Sequence, residues 1–446
     1  MGYISNTNTD RSEMMAIIGV ESFSELLAPI PEPIQLKTHL KLPPALDEYN
    51  LVKHLSKLAS KNSDLESNLC FLGAGIYDHF KPSVIASLQL RGEFASSYTP
   101  YQPEVSQGML QAIYEYQTMI CGLTQMDLSN ASMYDAATGL AEAALMATNL
   151  TDRSEILVAG TVHPHYREVI KTYCNATGYR LIETGIEGDC VESLRKLAGS
   201  DTACIMVQHP NFFGSLEDIG VITDLSHSVG ALSIVSTDPI SLGLLKPPGE
   251  YDVDIVVGEG QALGSPMGYG GPLLGFFACK MKFVRNFPGR IVGATVDTEG
   301  RRGYTMTLRT REQDIRREKA TSNICTNQAL IALAATIYLC EMGKTGLMDV
   351  ATLCVQKANY AKQALAQLPG VKVLFSETKT FKEFVIELPV SVSEVNRKLL
   401  EKKIIGGLAL QDYYHNLSNA MLVCVTETKS REDIDRFVSA LKEAIT

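Results

Sequence analysis

Short apolar runs alternate with amphipathic stretches from about residue 130 to residue 257. This alternation is typical of strand-helix-strand units, in which helices cover both faces of a mostly parallel sheet. The apolar runs predict strands at Ile156 to Ala159, Arg180 to Thr184, Thr202 to Val207, Ala231 to Ser236 and Asp254 to Val257. The amphipathic stretches between them predict helices at His165 to Ala176, Val191 to Ala198 and Ile219 to Val229. The core of the chain is therefore predicted to be an α/β domain.

The two ends of the chain follow other patterns. Amphipathic stretches at Met14 to Leu27 and Leu46 to Lys61 flank a proline-rich connector, Pro29 to Pro33, and predict a helical arm that packs on another surface. After Gly275 the rhythm breaks into an arginine-rich loop from Arg285 to Arg317. The elements predicted beyond it are helices at Asn323 to Met342, Leu347 to Leu368 and Arg431 to Ile445, and strands at Val371 to Phe375, Phe384 to Leu388 and Met421 to Val425. We therefore predict three regions: an arm (1–65), a large domain (66–325) and a small α+β domain (326–446).

Composition narrows the classes of function. The 446 residues are 45% hydrophobic, enough to bury a large core, and the formal net charge of -10 offers no basic surface for nucleic acid or an acidic membrane. The polar start and the lack of an apolar run near the roughly 20 residues of a membrane span predict a cytoplasmic protein. Ten cysteines lie singly, without metal-ligand spacing, as expected of small buried hydrophobes in a reducing compartment. We expect no metal site.

A segment of small residues, Tyr134 to Glu142, joins the end of a strand to an alanine-rich helix. Small residues at a helix N-terminus let N–H groups and the positive end of the helix dipole approach a phosphate. Taken alone, the segment is better explained as a tight turn whose small residues serve packing.

Two polar residues, Asn211 and Asp238, follow predicted strands of the same sheet. Ligands of open α/β sheets lie at the carboxyl ends of the strands, and an acid there can pair with a protonated ring nitrogen. Singly, each residue is more often a turn residue or a helix cap. Together with the small-residue turn, they outline a pyridoxal-phosphate fold.

The segment after the next strand, Gly258 to Pro272, contains no lysine. A pyridoxal enzyme needs one here, because only an amine forms the Schiff base that carries the cofactor between turnovers. Lys246 precedes the strand in a proline-rich turn and Lys280 follows the next apolar run, so neither is well placed to substitute. The chain thus has the outline of a pyridoxal enzyme without its anchor.

Three further groups of residues invite a functional interpretation. The loop from Ser97 to Gly108 is rich in hydroxyls and can present Tyr and Gln to a ligand, or can be an ordinary entry to a helix. The arginines of the loop that follows Arg285 can bind carboxylate or phosphate, although most are expected to be solvated. His163 and His165 are explained equally well by catalysis and by helix capping.

Several long runs of the chain resemble the glycine decarboxylase family, the P protein of the glycine cleavage system. They are IGVESFSELLAPIP, SSYTPYQPEVSQG, NASMYDAATGLAEAALMA, GEGQALGSPMGYGGPLLG and FPGRIVGATVDTEGRRGYTMTLRTREQDIRREKATSNICTNQAL. The length and content resemble subunit 1, the N-terminal half of the P protein, which in some organisms is a separate chain that pairs with a lysine-bearing subunit 2. The resemblance implies a fold-type-I pyridoxal-phosphate enzyme and explains the missing lysine.

The resemblance also implies a reaction and a division of labour. Glycine is decarboxylated on pyridoxal phosphate and its aminomethyl group passes to the lipoyl arm of the H protein, with the cofactor held covalently by subunit 2. Counting back from Gly270-Gly271-Pro272 places Gln261 where the partner has its lysine, with Asn211 and Asp238 in the same degenerate site. The implied assembly is a heterodimer or a dimer of heterodimers.

Residues of this chain are then expected to complete the partner's site. The candidates for the substrate pocket are Tyr98, Tyr101 and Gln102. The candidates for the partner's cofactor phosphate are Thr321, Ser322 and Asn323. The candidates for the glycine carboxylate or for the H protein are Arg290, Arg316 and Arg317. Two alternatives stay open: a self-sufficient enzyme that uses Lys246 or Lys280, and a scaffold that contributes no residue to the chemistry.

Overall fold

A computed structural model describes residues 5–36, 38, 40–95 and 99–446. The chain divides into two compact units, Met1–Asp64 and Leu65–Thr446. Tyr98 lies outside the described residues.

The first unit is helical, as the amphipathic pattern predicts. Its helices are α1 (Asn8–Ile18), α2 (Phe23–Leu26) and α3 (Glu48–Ala59). Thr7 caps α1 in a capping box, and the Asp47 side chain accepts a hydrogen bond from the backbone of Asn50 at the start of α3. None of the unit's described residues is buried, so its apolar side chains have no core of their own.

A seven-stranded sheet organises the second unit. Its strands are β2 (Leu128–Ser129), β3 (Glu155–Val158), β4 (Arg180–Glu183), β5 (Thr202–His209), β6 (Leu232–Thr237), β7 (Ile255–Glu259) and β8 (Gly275–Cys279), after a short β1 (Leu69–Cys70). The order is β2-β8-β7-β6-β5-β3-β4. The five strands from β7 to β4 are parallel, β8 is antiparallel to β7, and β2 is antiparallel to β8 and so runs in the direction of the other five. Strands β3 and β5 are almost wholly buried, as in a sheet covered on both faces. The α/β fold class is confirmed.

Helices pack on this sheet and bury its apolar side chains. They are α4 (Val84–Gln89), α5 (Gln107–Thr124), α6 (Ala136–Thr151), α7 (Pro164–Thr177), α8 (Cys190–Leu197) and α9 (Ile219–Ser228). Helix α6 is rich in alanine because it lies against the sheet, where Gly139 leaves no space for a side chain beside Val257. One continuous hydrophobic core joins the strands with these helices.

The arginine-rich region is not the loop that the sequence predicts. Strands β9 (Ile291–Val296) and β10 (Arg302–Thr307) form an antiparallel hairpin, and a short helix α10 (Gln313–Arg316) follows. The amide nitrogen of Gln117 donates to the carbonyl of Val292 at 3.0 Å, and its amide oxygen accepts from the backbone N–H of Val292 at 2.9 Å. These two hydrogen bonds tie the hairpin to α5. The sequence pattern does not predict the hairpin, because most residues of β9 and β10 are not buried and show no regular alternation of apolar and polar positions.

The C-terminal part has its own sheet and core. Its elements are α11 (Ala329–Ala366), β11 (Lys372–Val373), β12 (Glu383–Glu387), α12 (Val392–Glu401), β13 (Ile404–Ile405), β14 (Leu408–Ala409), β15 (Ala420–Cys424) and α13 (Arg431–Ile445). The strand order is β11-β12-β15-β14, and β13 pairs with β1. The division between a large and a small domain at residue 325 stays a prediction.

The two predicted helices of this part are the two halves of α11, which non-helical backbone at Gly343 separates. By length and composition α11 would pass as a membrane span, as a core helix also would. Its first half packs in the core of the large sheet and its second half in the C-terminal core, through side chains such as Tyr338 and Leu365.

Candidate cofactor cleft and arginine cluster

The carboxyl ends of three neighbouring parallel strands bring the predicted site residues together. Asn211 follows β5, Asp238 follows β6 and Gln261 follows β7, and these strands are adjacent in the sheet. We call the region around Asp238, Glu259 and Gln261 the cofactor cleft, because ligands of such sheets bind at this edge.

Gln261, at the predicted lysine position, is buried and fully engaged. Its side-chain oxygen accepts a hydrogen bond from the backbone N–H of Tyr77 at 2.9 Å. Its amide nitrogen donates to the carbonyls of Tyr77 at 3.1 Å and Ser265 at 2.8 Å. The amide therefore holds two loops together instead of serving a ligand.

Asp238 binds a lysine that the sequence analysis missed. Lys382, which lies directly before β12 and has a side chain only 2% exposed, places its ammonium 2.6 Å from the Asp238 carboxylate. The ammonium also lies 3.4 Å from the centre of the Tyr77 ring. Burial acts to lower the pKa of Lys382, but the charge and hydrogen bond of Asp238 together with the neighbouring Cys424 and Cys354 outweigh it, and the pKa is raised. A charged pair, Lys382 and Glu383, at the start of a buried strand was the available signal.

The ammonium continues into a hydrogen-bonded chain. Lys382 Nζ lies 2.9 Å from His79 Nε2, and His79 Nδ1 lies 2.7 Å from Glu427 Oε2. Because an ammonium group only donates, this network assigns the His79 proton to Nδ1, which donates to Glu427. Burial lowers the pKa of His79, in keeping with a neutral ring.

His79, Cys354 and Glu427 form a group that a metal ion could use. Their potential ligand atoms lie within 4.8 Å of one another. The Cys354 thiol and the His79 ring both point to Glu427 Oε2, and His79 Nε2 already faces the Lys382 ammonium. Hydrogen bonding therefore explains the cluster.

The opposite end of the cofactor cleft, at the start of α6, is also filled by the chain. The Glu259 carboxyl accepts hydrogen bonds from the backbone N–H groups of Ala136, Gln261 and Leu274, at 3.2, 3.0 and 2.9 Å. The Asp135 side chain accepts from the backbone of Thr138 at 2.8 Å. The N–H groups of Ala136 and Thr138 are helix N-terminal groups of the kind that bind phosphate. Here carboxyl groups of the chain take them.

The residues present therefore do not fit pyridoxal phosphate. The cofactor needs a lysine for its aldehyde, a carboxylate for its ring nitrogen and free N–H groups for its phosphate. Gln261 replaces the lysine and Lys382 has taken the Asp238 carboxylate. Glu259 and Asp135 have taken the N–H groups of Ala136 and Thr138 at the start of α6.

Asn211 serves the loop in which it lies. It is buried, its side-chain oxygen accepts from the backbone of Phe213 and Ser215 at 3.0 Å each, and its amide donates to Glu217 at 2.7 Å. The geometry is that of a turn residue.

A second region gathers the predicted arginine and tyrosine candidates. Arg290 is 5% exposed and donates to the Tyr101 hydroxyl at 2.8 Å and to Thr99 Oγ1 at 3.3 Å, while it pairs with Glu312 at 3.3 Å. The guanidinium groups of Arg290 and Arg309 lie 5.2 and 5.0 Å from the Tyr101 ring centre. We call this group the arginine cluster. Arg309 is one of the loop arginines considered from the sequence, but it was not singled out with Arg290, Arg316 and Arg317.

The arginine cluster is partly exposed to solvent and contains polar atoms whose hydrogen bonding is not satisfied. The Tyr101 side chain is 46% exposed, and Gln102 beside it is exposed as well. Among the described residues, Arg309 Nε and Glu312 Oε1 are buried without a hydrogen-bond partner. Unsatisfied groups next to an exposed tyrosine are typical of a surface that is completed by a partner or ligand.

The other candidates lie on the segment between β10 and α11. Arg316 and Arg317 are exposed, and Arg316 donates to the carbonyl of Thr310 at 3.1 Å. Ser322 is part-buried, where it hydrogen-bonds Glu142 and accepts from the backbone of Ile324 at 3.1 Å, whereas Asn323 is exposed. Thr321 is part-buried, and its backbone N–H donates to Arg311.

The comparisons with known proteins bear on the whole chain. The family model described as glycine cleavage system P-protein matches residues 1–441. The chain belongs to this family. A relative from Desulforamulus reducens, "Probable glycine dehydrogenase (decarboxylating) subunit 1", is 51% identical over 447 residues and 99% of each chain.

Solved structures agree with the fold. A crystal structure of glycine decarboxylase (P-protein) of the glycine cleavage system, in inhibitor-bound form, matches with a TM-score of 0.91 and 42% identity over 100% of both chains. A C-DES mutant with glycine covalently linked to its PLP cofactor matches with a TM-score of 0.63 over 85% of this chain and 97% of that chain. At 15% identity, the second likeness shows the fold alone. The predicted fold-type-I pyridoxal-phosphate architecture is confirmed.

The lysines and the histidine that the sequence suggested as catalytic candidates lie outside the cofactor cleft. Lys280 pairs with Asp252 and Asp254 beside the start of β7, at the edge opposite the cofactor cleft. Lys246 is exposed and lies over the Tyr251 ring at 4.2 Å. His163 caps α7 and contacts the carbonyl of Ala74 at 2.9 Å, and burial lowers its pKa to about 4.

Proposed function

We propose that this chain is subunit 1 of a two-subunit glycine decarboxylase whose pyridoxal phosphate is held by subunit 2. The proposal rests on the cofactor cleft. There Gln261 takes the place of the Schiff-base lysine, Lys382 occupies the carboxylate that would pair with the ring nitrogen, and Glu259 occupies an N–H group that would bind the phosphate. The subunit 1 name of full-length relatives supports the division of the enzyme into two chains. The pair decarboxylates glycine and passes the aminomethyl group to the lipoyl arm of the H protein.

The contribution of this chain to the chemistry comes from the arginine cluster. Tyr101 is half exposed and its hydroxyl is held by Arg290, which is itself fixed by the buried Glu312. Such support preorganises a tyrosine, and Gln102 next to it adds an exposed amide. We therefore assign Tyr101 and Gln102 to the partner's substrate pocket, with Tyr98 a third candidate, and Arg290 to the positioning of Tyr101.

The segment from Thr321 to Asn323 is the candidate for the partner's cofactor phosphate. Ser322 is engaged with Glu142 of α6, so the exposed Asn323 is the member best able to reach another chain. The exposed Arg316 and Arg317 on the same segment remain candidates for an acidic partner such as the H protein.

The N-terminal unit supports an obligate partner. Side chains on α3 such as Leu51, Val52 and Leu55 are 44 to 58% exposed, although the helix is capped and amphipathic. An unburied apolar face of this kind gains stability when another surface covers it. We assign that surface to subunit 2, in a cytoplasmic heterodimer or dimer of heterodimers.

The test is reconstitution. We expect glycine-dependent CO2 exchange with H protein only when this chain is mixed with a lysine-bearing subunit 2 and pyridoxal phosphate. Exchange by this chain alone would contradict the proposal. Full exchange by subunit 2 in the absence of this chain would show that this chain is dispensable for the reaction.

A scaffold without chemistry is separated by substitution in the arginine cluster. An intact mixed complex that loses turnover on Tyr101→Phe argues for a role in the pocket. An intact complex with unchanged turnover argues for a scaffold.

A further inference from the structure

We infer that Lys382 and Glu259 form a built-in replacement for the cofactor: an ammonium group stands at the ring-nitrogen partner, and a carboxyl group stands at the phosphate-binding helix start. The inference deepens the proposed function, on which it rests, because it explains how a chain of this fold stays closed to the cofactor that its partner uses. It also defines a cation site within the cofactor cleft.

The cation site is built from three directions. Asp238 comes from the end of β6, Tyr77 and His79 from the segment after β1, and Lys382 from the start of β12. The Asp238 side chain is 11% exposed and the Lys382 side chain 2%, so water does little to screen this pair. The Tyr77 ring face and His79 Nε2 add further acceptors for a positive group. A pyridinium or a primary ammonium has the same requirements.

Lys382 fills this site without being able to replace the missing lysine. The ring nitrogen and the aldehyde of pyridoxal phosphate lie at opposite ends of the ring, and Lys382 lies at the acid that serves the nitrogen. The position that serves the aldehyde is that of Gln261, which is hydrogen-bonded to Tyr77 and Ser265. Lys382 is therefore a competitor of the ring and not a Schiff-base donor.

Glu259 plays the matching part at the other end. Its two carboxyl oxygens accept from three backbone N–H groups, one of them Ala136 at the first turn of α6. A phosphate at this helix start would have to displace the carboxyl group and would meet Asp135 beside it.

Chemical rescue tests the cation site. Lys382→Ala in the full chain removes the ammonium and leaves space for a small amine, and its melting temperature is measured with increasing propylammonium chloride. We expect a loss of roughly 5 °C relative to wild type, recovered in part and saturably by propylammonium but not by 1-propanol. Wild type and Lys372→Ala, whose lysine pairs with Glu387 while 75% exposed, should show no such recovery.

A charge cycle covers the case in which Lys382→Ala does not fold. Lys382→Met leaves Asp238 buried without its partner, and Lys382→Met with Asp238→Asn removes both charges. The double variant should melt above the single one. Absence of both amine rescue and this coupling would overturn the inference.

Titration with pyridoxal phosphate separates this inference from the proposed function. The wild-type chain alone should give no imine absorbance. An imine would overturn the proposed function together with this inference, since the chain would hold its own cofactor. Failed rescue and failed coupling in a chain that forms no imine would overturn the inference alone.

Discussion

The cofactor cleft and the arginine cluster differ in how far the chain satisfies its own polar groups. In the cofactor cleft, Asp238, Glu259 and Gln261 all find partners within the chain. In the arginine cluster, Tyr101 is half exposed, and Arg309 Nε and Glu312 Oε1 are buried without a hydrogen-bond partner in the part of the chain that the structure describes. A subunit that has lost one site and serves another is expected to look like this, with the lost site closed and the shared site left incomplete.

The largest effect is expected from Lys382→Met in the cofactor cleft. The substitution leaves the Asp238 carboxylate desolvated and unpaired, and breaking a buried ion pair costs about 3 to 5 kcal/mol. We expect chemical denaturation to show this loss in the free energy of unfolding. The exposed pair of Lys372 provides the control, because Lys372→Met should change it by less than about 1 kcal/mol. Equal losses in the two variants would mean that the cleft is not closed by this pair.

Next in size is Gln261→Lys, which restores the missing lysine. A lysine here breaks the hydrogen bonds to Tyr77 and Ser265 and buries a charge, so we expect a loss of about 2 to 4 kcal/mol. No imine should form with pyridoxal phosphate, because Lys382 and Glu259 still fill the cleft. Gln117→Lys, at another buried and hydrogen-bonded glutamine, is the matched control for stability. Imine absorbance in Gln261→Lys alone would show that the cleft is open after all.

These two predictions rest on contacts that the sequence could not supply. The parallel strands and the lack of a lysine after β7 are readable because they depend on local patterns. Lys382 is not, since its ion pair with Asp238 joins the end of β6 to the start of β12, far apart in the chain. The hairpin that carries the arginine cluster was missed because the polar and exposed residues of β10 hide its strand period, and Arg309 was therefore not singled out from the other arginines of the predicted loop.

The pH dependence of stability gives a smaller effect within the cofactor cleft. Burial raises the pKa of Glu383 to about 7, although the Ala74 N–H, the Lys382 charge and the Tyr77 hydroxyl act to lower it. The folded state then binds more protons than the unfolded state between about pH 4.5 and pH 7, so this group lowers stability as pH rises through that window.

Glu383→Gln should remove that contribution, about 1 to 3 kcal/mol of the fall in unfolding free energy from pH 5 to pH 8. Part of the fall should remain, because burial also raises the pKa values of Glu142 and Glu259 to about 7. Glu387→Gln, on the same strand with its side chain 43% exposed, should leave the dependence as in wild type. An unchanged slope in Glu383→Gln would mean that this carboxyl group is ionised throughout.

The smallest effect belongs to the arginine cluster and decides whether it is functional. Tyr101→Phe removes a hydroxyl that accepts from Arg290 at 2.8 Å but leaves the half-exposed ring in place, so the melting temperature should hardly change. If the hydroxyl meets substrate in the partner's site, glycine-dependent CO2 exchange by the mixed complex should fall about tenfold, the equivalent of one charge-assisted hydrogen bond. Tyr360→Phe, on α11, loses a comparable hydrogen bond, which the Tyr360 hydroxyl donates to Asp435 of α13, and should keep full exchange. Equal exchange in both variants would mean that the arginine cluster contacts the partner without taking part in the reaction, so that its unsatisfied groups serve assembly.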